Sequence, residues 1–179
     1  FGLPDTYISH GCRCPGAHEV NAILPRRWPI LVMWIGIVAL VSGVGSWVTL
    51  PQIPTWYAGL VKPSFTPPNA LFGPVWTVLY AAMAVAAWRV SIAPPSTPRR
   101  LAVTLFVLQL AVNALWSPVF FGLEAPRLGL AVIVVLLFAI LATLLAFWRI
   151  DRWAGWLLVP YLAWVGYACA LNAAIVVLN

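Results

Sequence analysis

The sequence predicts an all-α integral membrane protein, a single bundle of five transmembrane helices with a structured loop between the first and second. Three observations predict it. Of the 179 residues, 63% are hydrophobic and 8% charged, against roughly a quarter charged in soluble domains, so water is not the main solvent. The chain offers five apolar runs, at 30–50, 70–88, 101–121, 128–148 and 156–178, each near the about 20 residues that cross a bilayer core of about 30 Å. None carries a charge at its middle, and none alternates as barrel strands do, so the backbone must satisfy itself within helices.

Residues 1–28 differ in kind from the five-helix domain at 29–179. His10, Cys12, Cys14 and His18 could be drawn as a metal site, but Cys-x-Cys is not a zinc-knuckle spacing. A flexible tail is the expectation there, with no metal in the protein. Arg26 and Arg27 before Trp28 read as an inner-leaflet anchor, and no cleavable signal peptide is expected because the following run is long enough to stay in the membrane.

Charge is one-sided. Arg13, Arg26, Arg27, Arg89, Arg99, Arg100, Arg149 and Arg152 fall on the N-terminal side, the second loop and the fourth loop, and the opposite side holds only Lys62 and Arg127. By the positive-inside rule the N-terminus is cytoplasmic, and the first loop and the C-terminus face outward. The same rule explains the net charge of +6 without any nucleic-acid partner.

In the first span, Ala39-x-x-x-Gly43 is the clearest pair of small residues and predicts a close helix contact; Gly43 and Gly45 making room for a ligand is the other reading. Trp47 and Pro51 close the span. The stretch from Trp56 to Tyr80, WYAGLVKPSFTPPNALFGPVWTVLY, organises the rest. Pro63, Pro67 and Pro68 lack N–H groups and restrict the residues before them, so 62–68 is a stiff extended loop. Trp56, Tyr57 and Phe65 make it a lid, and Asn69 is the expected N-cap of the next helix. In that helix Trp76, Leu79, Tyr80 and Met83 share one face beneath the lid. An aromatic lid over an aromatic floor points to a flat apolar ligand.

In the third span Gln109, Asn113, Trp116 and Phe120 form one stripe, two amides with two aromatics. Asn113 either bonds a neighbouring helix or lines a cavity. Pro118 should disturb the end of this helix. The fourth span is almost purely aliphatic and reads as a lipid-facing or scaffold helix. In the fifth, Tyr161, Trp164, Ala168 and Asn172 share a face, and Cys169 is a structural thiol. No histidine or carboxylate lies within a span, so acid–base chemistry and ion-coupled transport have no candidate residue.

The segments WYAGLVKPSFTPP, FGPVWTVLY, NALWSPVFFG and VPYLAWVGYACALN resemble, in order and spacing, the TspO/MBR family, the tryptophan-rich sensory proteins related to the mitochondrial translocator protein or peripheral benzodiazepine receptor. The resemblance runs from about Trp34 to Asn179. It implies a homodimeric bundle in the membrane, here a bacterial-type member in the cell membrane, whose cavity under the first loop binds tetrapyrroles such as protoporphyrin IX and benzodiazepine-type ligands. Carried over, the ligand-binding residues are Tyr57, Pro67, Trp76, Tyr80, Asn113, Trp116, Trp164, Ala168 and Leu171. Lys62 or Arg127 would meet propionate groups by charge. The function implied is a receptor, sensor or transport protein with no required cofactor, porphyrin being ligand or substrate. The alternative is an enzyme that degrades porphyrin with light and oxygen through Trp76 and Trp164. Ala173, Ala174, Ile175, Val176 and Val177 stand where animal members carry a tyrosine and a basic residue for cholesterol, so cholesterol is not an expected partner by that route.

Overall fold

The computed structural model describes residues 27–179, and the candidate metal residues His10, Cys12, Cys14 and His18 lie outside them. The described chain is helical: α1 (Trp28–Gln52), the single turn α2 (Trp56–Gly59), α3 (Asn69–Ser91), α4 (Thr97–Ser117), a π-helical turn (Pro118–Gly122), α5 (Pro126–Ile150) and α6 (Arg152–Leu178). The five long helices are apolar enough to cross a membrane, α4 and the π turn counting as one span. Each overshoots its apolar run by a few residues, because interfacial arginine, tryptophan and proline complete the end turns.

Helix boundaries follow from local chemistry. Ser96 caps α4, its Oγ accepting from the Arg99 N–H at 3.2 Å. Asp151 caps α6, its Oδ1 accepting from the N–H groups of Trp153 at 2.9 Å and Ala154 at 3.3 Å, which satisfies two of the donors that open every helix. The expected cap Asn69 is instead the first helical residue of α3. Pro68 stands before it, and its carbonyl accepts from the Leu71 N–H at 2.9 Å, so no side chain is needed.

The half of the bundle remote from the first loop is densely packed. Ala84, Ala86 and Ala87 of α3 let neighbouring helices approach, the usual device where lipid removes any hydrophobic drive to associate. Phe106 of α4 stacks on Phe147 of α5 at 5.6 Å, and Trp34 of α1 meets its edge at 5.2 Å. A separate, smaller cluster of Tyr57, Phe120, Phe121, Leu171 and Ile175 closes the end beneath the first loop, called the outer end from the charge-based reading of the sequence. Between the two clusters the bundle is hollow.

One expectation is corrected, and one open alternative is decided. Ala39 and Gly43 do not make a close contact in this chain: both are exposed, and a Cβ on Gly43 would meet nothing within 4 Å. Small residues permit close approach but do not say which side of the helix is approached. The fourth span, α5, is a scaffold rather than a lipid-facing helix. Its Gly129, Ile133, Leu136, Ile140, Thr143, Leu144 and Phe147 are buried between α4 and α6, while Phe138 on the other face is 70% exposed.

The tightest glycine is Gly155, where a Cβ would stand 2.7 Å from Trp148 Cε3 and 3.1 Å from the Trp148 Cα. Backbone cannot give way there as a side-chain tip can. Gly155→Ala should therefore lower stability by about 1–3 kcal/mol, measured by thermal unfolding in detergent. Gly43→Ala should hold or raise stability by about 0.5–1 kcal/mol through helix propensity alone.

Candidate ligand cavity beneath the first loop

The hollow is a cavity of about 320 Å³, at the lower end of the range for small-molecule sites. Its floor is a hydrogen-bonded cluster. The Tyr80 hydroxyl donates to Asn113 Oδ1 at 2.8 Å, Asn113 Nδ2 donates to the Tyr161 hydroxyl at 2.9 Å, and that hydroxyl donates to Gln109 Oε1 at 3.1 Å. One chain of bonds thus ties α3, α4 and α6. Asn113 fulfils both readings of it, bonding across helices while lining the cavity. Trp76 stacks on Tyr80 at 5.2 Å and meets Tyr161 edge-on at 6.2 Å.

The walls are aromatic. Trp164 of α6 lies against Phe72 of α3 at 5.8 Å, and Trp116 of α4 stacks on Phe120 at 5.2 Å. The Nε1–H of Trp116 is buried without a partner among the described residues. Ala168 and Leu171 of α6 complete that side. Pro118 accounts for Phe120 and Phe121. It has no N–H for the α ladder, and the chain closes a wider turn in which the Leu123 N–H reaches the Pro118 carbonyl at 2.9 Å. The extra residue in that turn brings both phenylalanines into the interior.

The lid closes the outer end. Tyr57 is buried against Phe121 at 5.6 Å, and burial pushes its phenol above the ordinary range, with Tyr167 adding in the same direction. It is neutral at physiological pH. Lys62 Nζ lies 4.8 Å from the centre of the Tyr57 ring and donates to the carbonyls of Ala58 and Leu60 at 3.3 and 3.4 Å. Two fastenings hold the lid to α6. The Asn179 carboxamide accepts from the Val61 N–H and donates to the Val61 carbonyl, both at 3.0 Å. The Tyr167 hydroxyl donates to the Phe65 carbonyl at 2.6 Å.

Tyr57, Trp76, Tyr80, Asn113, Trp116, Trp164, Ala168 and Leu171 all line this cavity. Pro67 does not: it is half-buried within the lid and contributes stiffness. Lys62 and Arg127 are not on the wall either. Lys62 is engaged within the lid, and Arg127 opens onto a separate outer groove beside Trp56, Leu60 and Glu124. No charged side chain lines the cavity, and no group of three metal-ligating side chains occurs among the described residues.

Sequence reasoning missed Phe72, Phe121, the α1 wall of Ser42, Ser46 and Thr49, and Ile133 and Leu136 of α5. Phe72 stands four residues before Trp76, so helical spacing could have found it. The α1 residues recur at helical steps as small polar groups in an apolar run, a second legible signal. Ile133 and Leu136 carry none.

Comparison with known proteins agrees with the architecture. The TspO/MBR family profile matches residues 24–178. The chain belongs to the TspO/MBR family. It is 43% identical over 152 residues to the tryptophan-rich protein TspO of Archaeoglobus fulgidus, covering 83% of this chain and 96% of that protein. To the tryptophan-rich sensory protein of Cereibacter sphaeroides it is 43% identical over 124 residues, 69% of this chain and 77% of that one. To the human translocator protein it is 40% identical over 121 residues, 65% and 70% respectively.

Asn113→Leu, close in volume but unable to bond, should strip the floor of two interhelical bonds and leave the Tyr80 and Tyr161 hydroxyls short of partners. The expected loss is about 1–3 kcal/mol, read as a lower midpoint of thermal unfolding in detergent. An unchanged midpoint would mean the cluster is not what ties the three helices.

Proposed function

We propose that this TspO/MBR member is a membrane receptor or carrier for flat, largely apolar ligands of the tetrapyrrole kind, protoporphyrin IX being the type case, with benzodiazepine-type compounds using the same cavity. The observation that carries the reading is the cavity itself: closed below by a hydrogen-bonded polar floor in which only the Gln109 Nε2 lacks a partner among the described residues, walled by Trp76, Trp116 and Trp164, capped by Tyr57, and free of charge. Rigid aromatic walls suit a planar ring, which they cover with little loss of side-chain freedom. The polar atoms of the floor are largely spent on one another, so the site selects by shape more than by hydrogen bonding. Anionic substituents of a porphyrin would lie at the cavity mouth, where water and lipid headgroups solvate them. The lid is read as facing outward, from the arginine excess at the opposite end.

A second reading draws on Trp76 and Trp164 sharing one cavity wall. Light- and oxygen-dependent porphyrin degradation would have to run through these indoles, since no acid, base or metal ligand lines the site.

One titration addresses both. Protoporphyrin IX added in darkness to the detergent-purified protein should quench tryptophan fluorescence saturably in the micromolar range. Trp76→Phe/Trp164→Phe, followed through the remaining tryptophans, should bind about tenfold more weakly, a loss of about 1.4 kcal/mol. Quenching that never saturates would mean partition into the micelle and would overturn the binding reading. Under light, equal loss of porphyrin absorbance with wild type and variant would remove the enzymatic one.

A further inference from the structure

The cavity is not equally closed on all sides. Every lining residue contributed by α4, the π turn, α5 and α6 is buried or half-buried. On α1 and α3 the situation differs: Ser46, Leu50, Asn69, Gly73 and Thr77 line the cavity and are at the same time exposed on the outside of the bundle. A residue that touches both sides marks a gap. Among the described residues, the gap of this kind runs between the outer halves of α1 and α3.

The seam between these helices is fastened at one end. At the inner end Trp34 Nε1 donates to Ser91 Oγ at 2.9 Å, and Trp88 Nε1 donates to the Arg27 carbonyl at 3.1 Å. Toward the outer end no side-chain bond joins the two helices among the described residues. The buried residues of α1, Trp34 and Val38, both lie in its inner half. A Cβ on Gly43 or Gly73 would meet nothing within 4 Å. At the rim the Thr77 hydroxyl is spent on the Gly73 carbonyl at 2.9 Å, and Ser46 and Asn69 supply its remaining polar side chains.

The lid, by contrast, is fastened across the top, through Asn179 to Val61 and Tyr167 to Phe65. Opening it breaks hydrogen bonds and exposes Tyr57. Opening the seam breaks no side-chain hydrogen bond among the described residues: α1 pivots about its far end, and only the van der Waals packing of Val48 and Gly45 on the π turn and the end of α4 has to shift. The gap also lies at a telling depth. Gly73 is four residues into α3 and Ser46 six from the end of α1, so the rim sits about 6–9 Å below the outer helix ends at 1.5 Å per residue. With the helix ends at the membrane surface, that depth falls near the boundary between headgroups and acyl chains.

We propose that the ligand enters and leaves sideways, from the outer leaflet through the gap between α1 and α3, while the lid stays fastened. The class of ligand this admits is a flat amphiphile already dissolved in the bilayer, its apolar body at acyl depth and its charged edge among the headgroups. It slides in without its charged edge crossing the lid or leaving the interface. This rests on the binding function proposed above.

The test is stopped-flow quenching by protoporphyrin IX with the protein reconstituted in phosphatidylcholine vesicles. Gly73→Leu and Ser46→Leu each add bulk at the rim. Either should slow association by about tenfold. Asn179→Ala and Tyr167→Phe, which loosen the lid, should exchange ligand at the wild-type rate. The proposal is overturned if the lid variants exchange faster while both rim variants match wild type, which would put the route through the lid. It is equally overturned if both rim variants lose affinity at an unchanged association rate, since the added side chains would then only occupy the cavity. Absence of saturable quenching in the wild type is a different result: it removes the binding function itself.

Discussion

The rest of the structure depends on the cluster in which Tyr80, Asn113, Tyr161 and Gln109 bond one another across α3, α4 and α6. In lipid, apolar side chains gain nothing by leaving the solvent for a helix interface, so packing and buried polar contacts must hold helices together. Here one cluster divides the bundle in two. Below it, alanines and stacked phenylalanines fill the space. Above it, large aromatics cannot close-pack, and they prop the helices apart. The cavity is thus the direct result of placing the polar tie at mid-depth and the bulky residues on one side of it.

Proline shapes both boundaries of that cavity by the same chemistry, the missing N–H. In the lid, Pro63, Pro67 and Pro68 fix φ at little further entropic cost, and the expected extended run is broken by a turn at Ser64–Phe65, where the Thr66 N–H and hydroxyl donate to the Pro63 carbonyl at 3.0 and 2.8 Å. At the end of α4, Pro118 breaks the ladder and the π turn takes up the slack, turning Phe120 and Phe121 toward Trp56 and Tyr57. Lid and turn meet as an aromatic plug that no hydrogen-bonded loop could form without leaving polar atoms buried.

What was legible in the sequence was what periodicity and charge record. The five spans, the lid and the stripe of Gln109, Asn113, Trp116 and Phe120 could all be read, because polar and aromatic residues stand out in an apolar run and recur at helical steps. Ile133 and Leu136 could not, since aliphatic residues look alike whether they face lipid, core or ligand. The same ambiguity misplaced Ala39 and Gly43, and it left the fourth span open between a lipid-facing and a scaffold helix. In a soluble protein the polar face of a helix would have settled these questions; a bilayer removes that marker. Pro67 stands off the cavity wall for another reason. A resemblance carries residue types faithfully, but not the way a loop lies over its cavity.

Asp151 brings a less obvious consequence. One of its oxygens caps α6, and the other accepts from Arg89 Nε and Nη2 of α3, both at 2.8 Å. With both oxygens committed, α6 cannot turn about its own axis without giving up either its cap or its partner. Trp164 lies thirteen residues further on, about 20 Å away across the membrane. A carboxylate at one face of the bilayer therefore sets the rotational angle at which a tryptophan meets ligand near the other, and the cavity is aligned from the side on which it does not open.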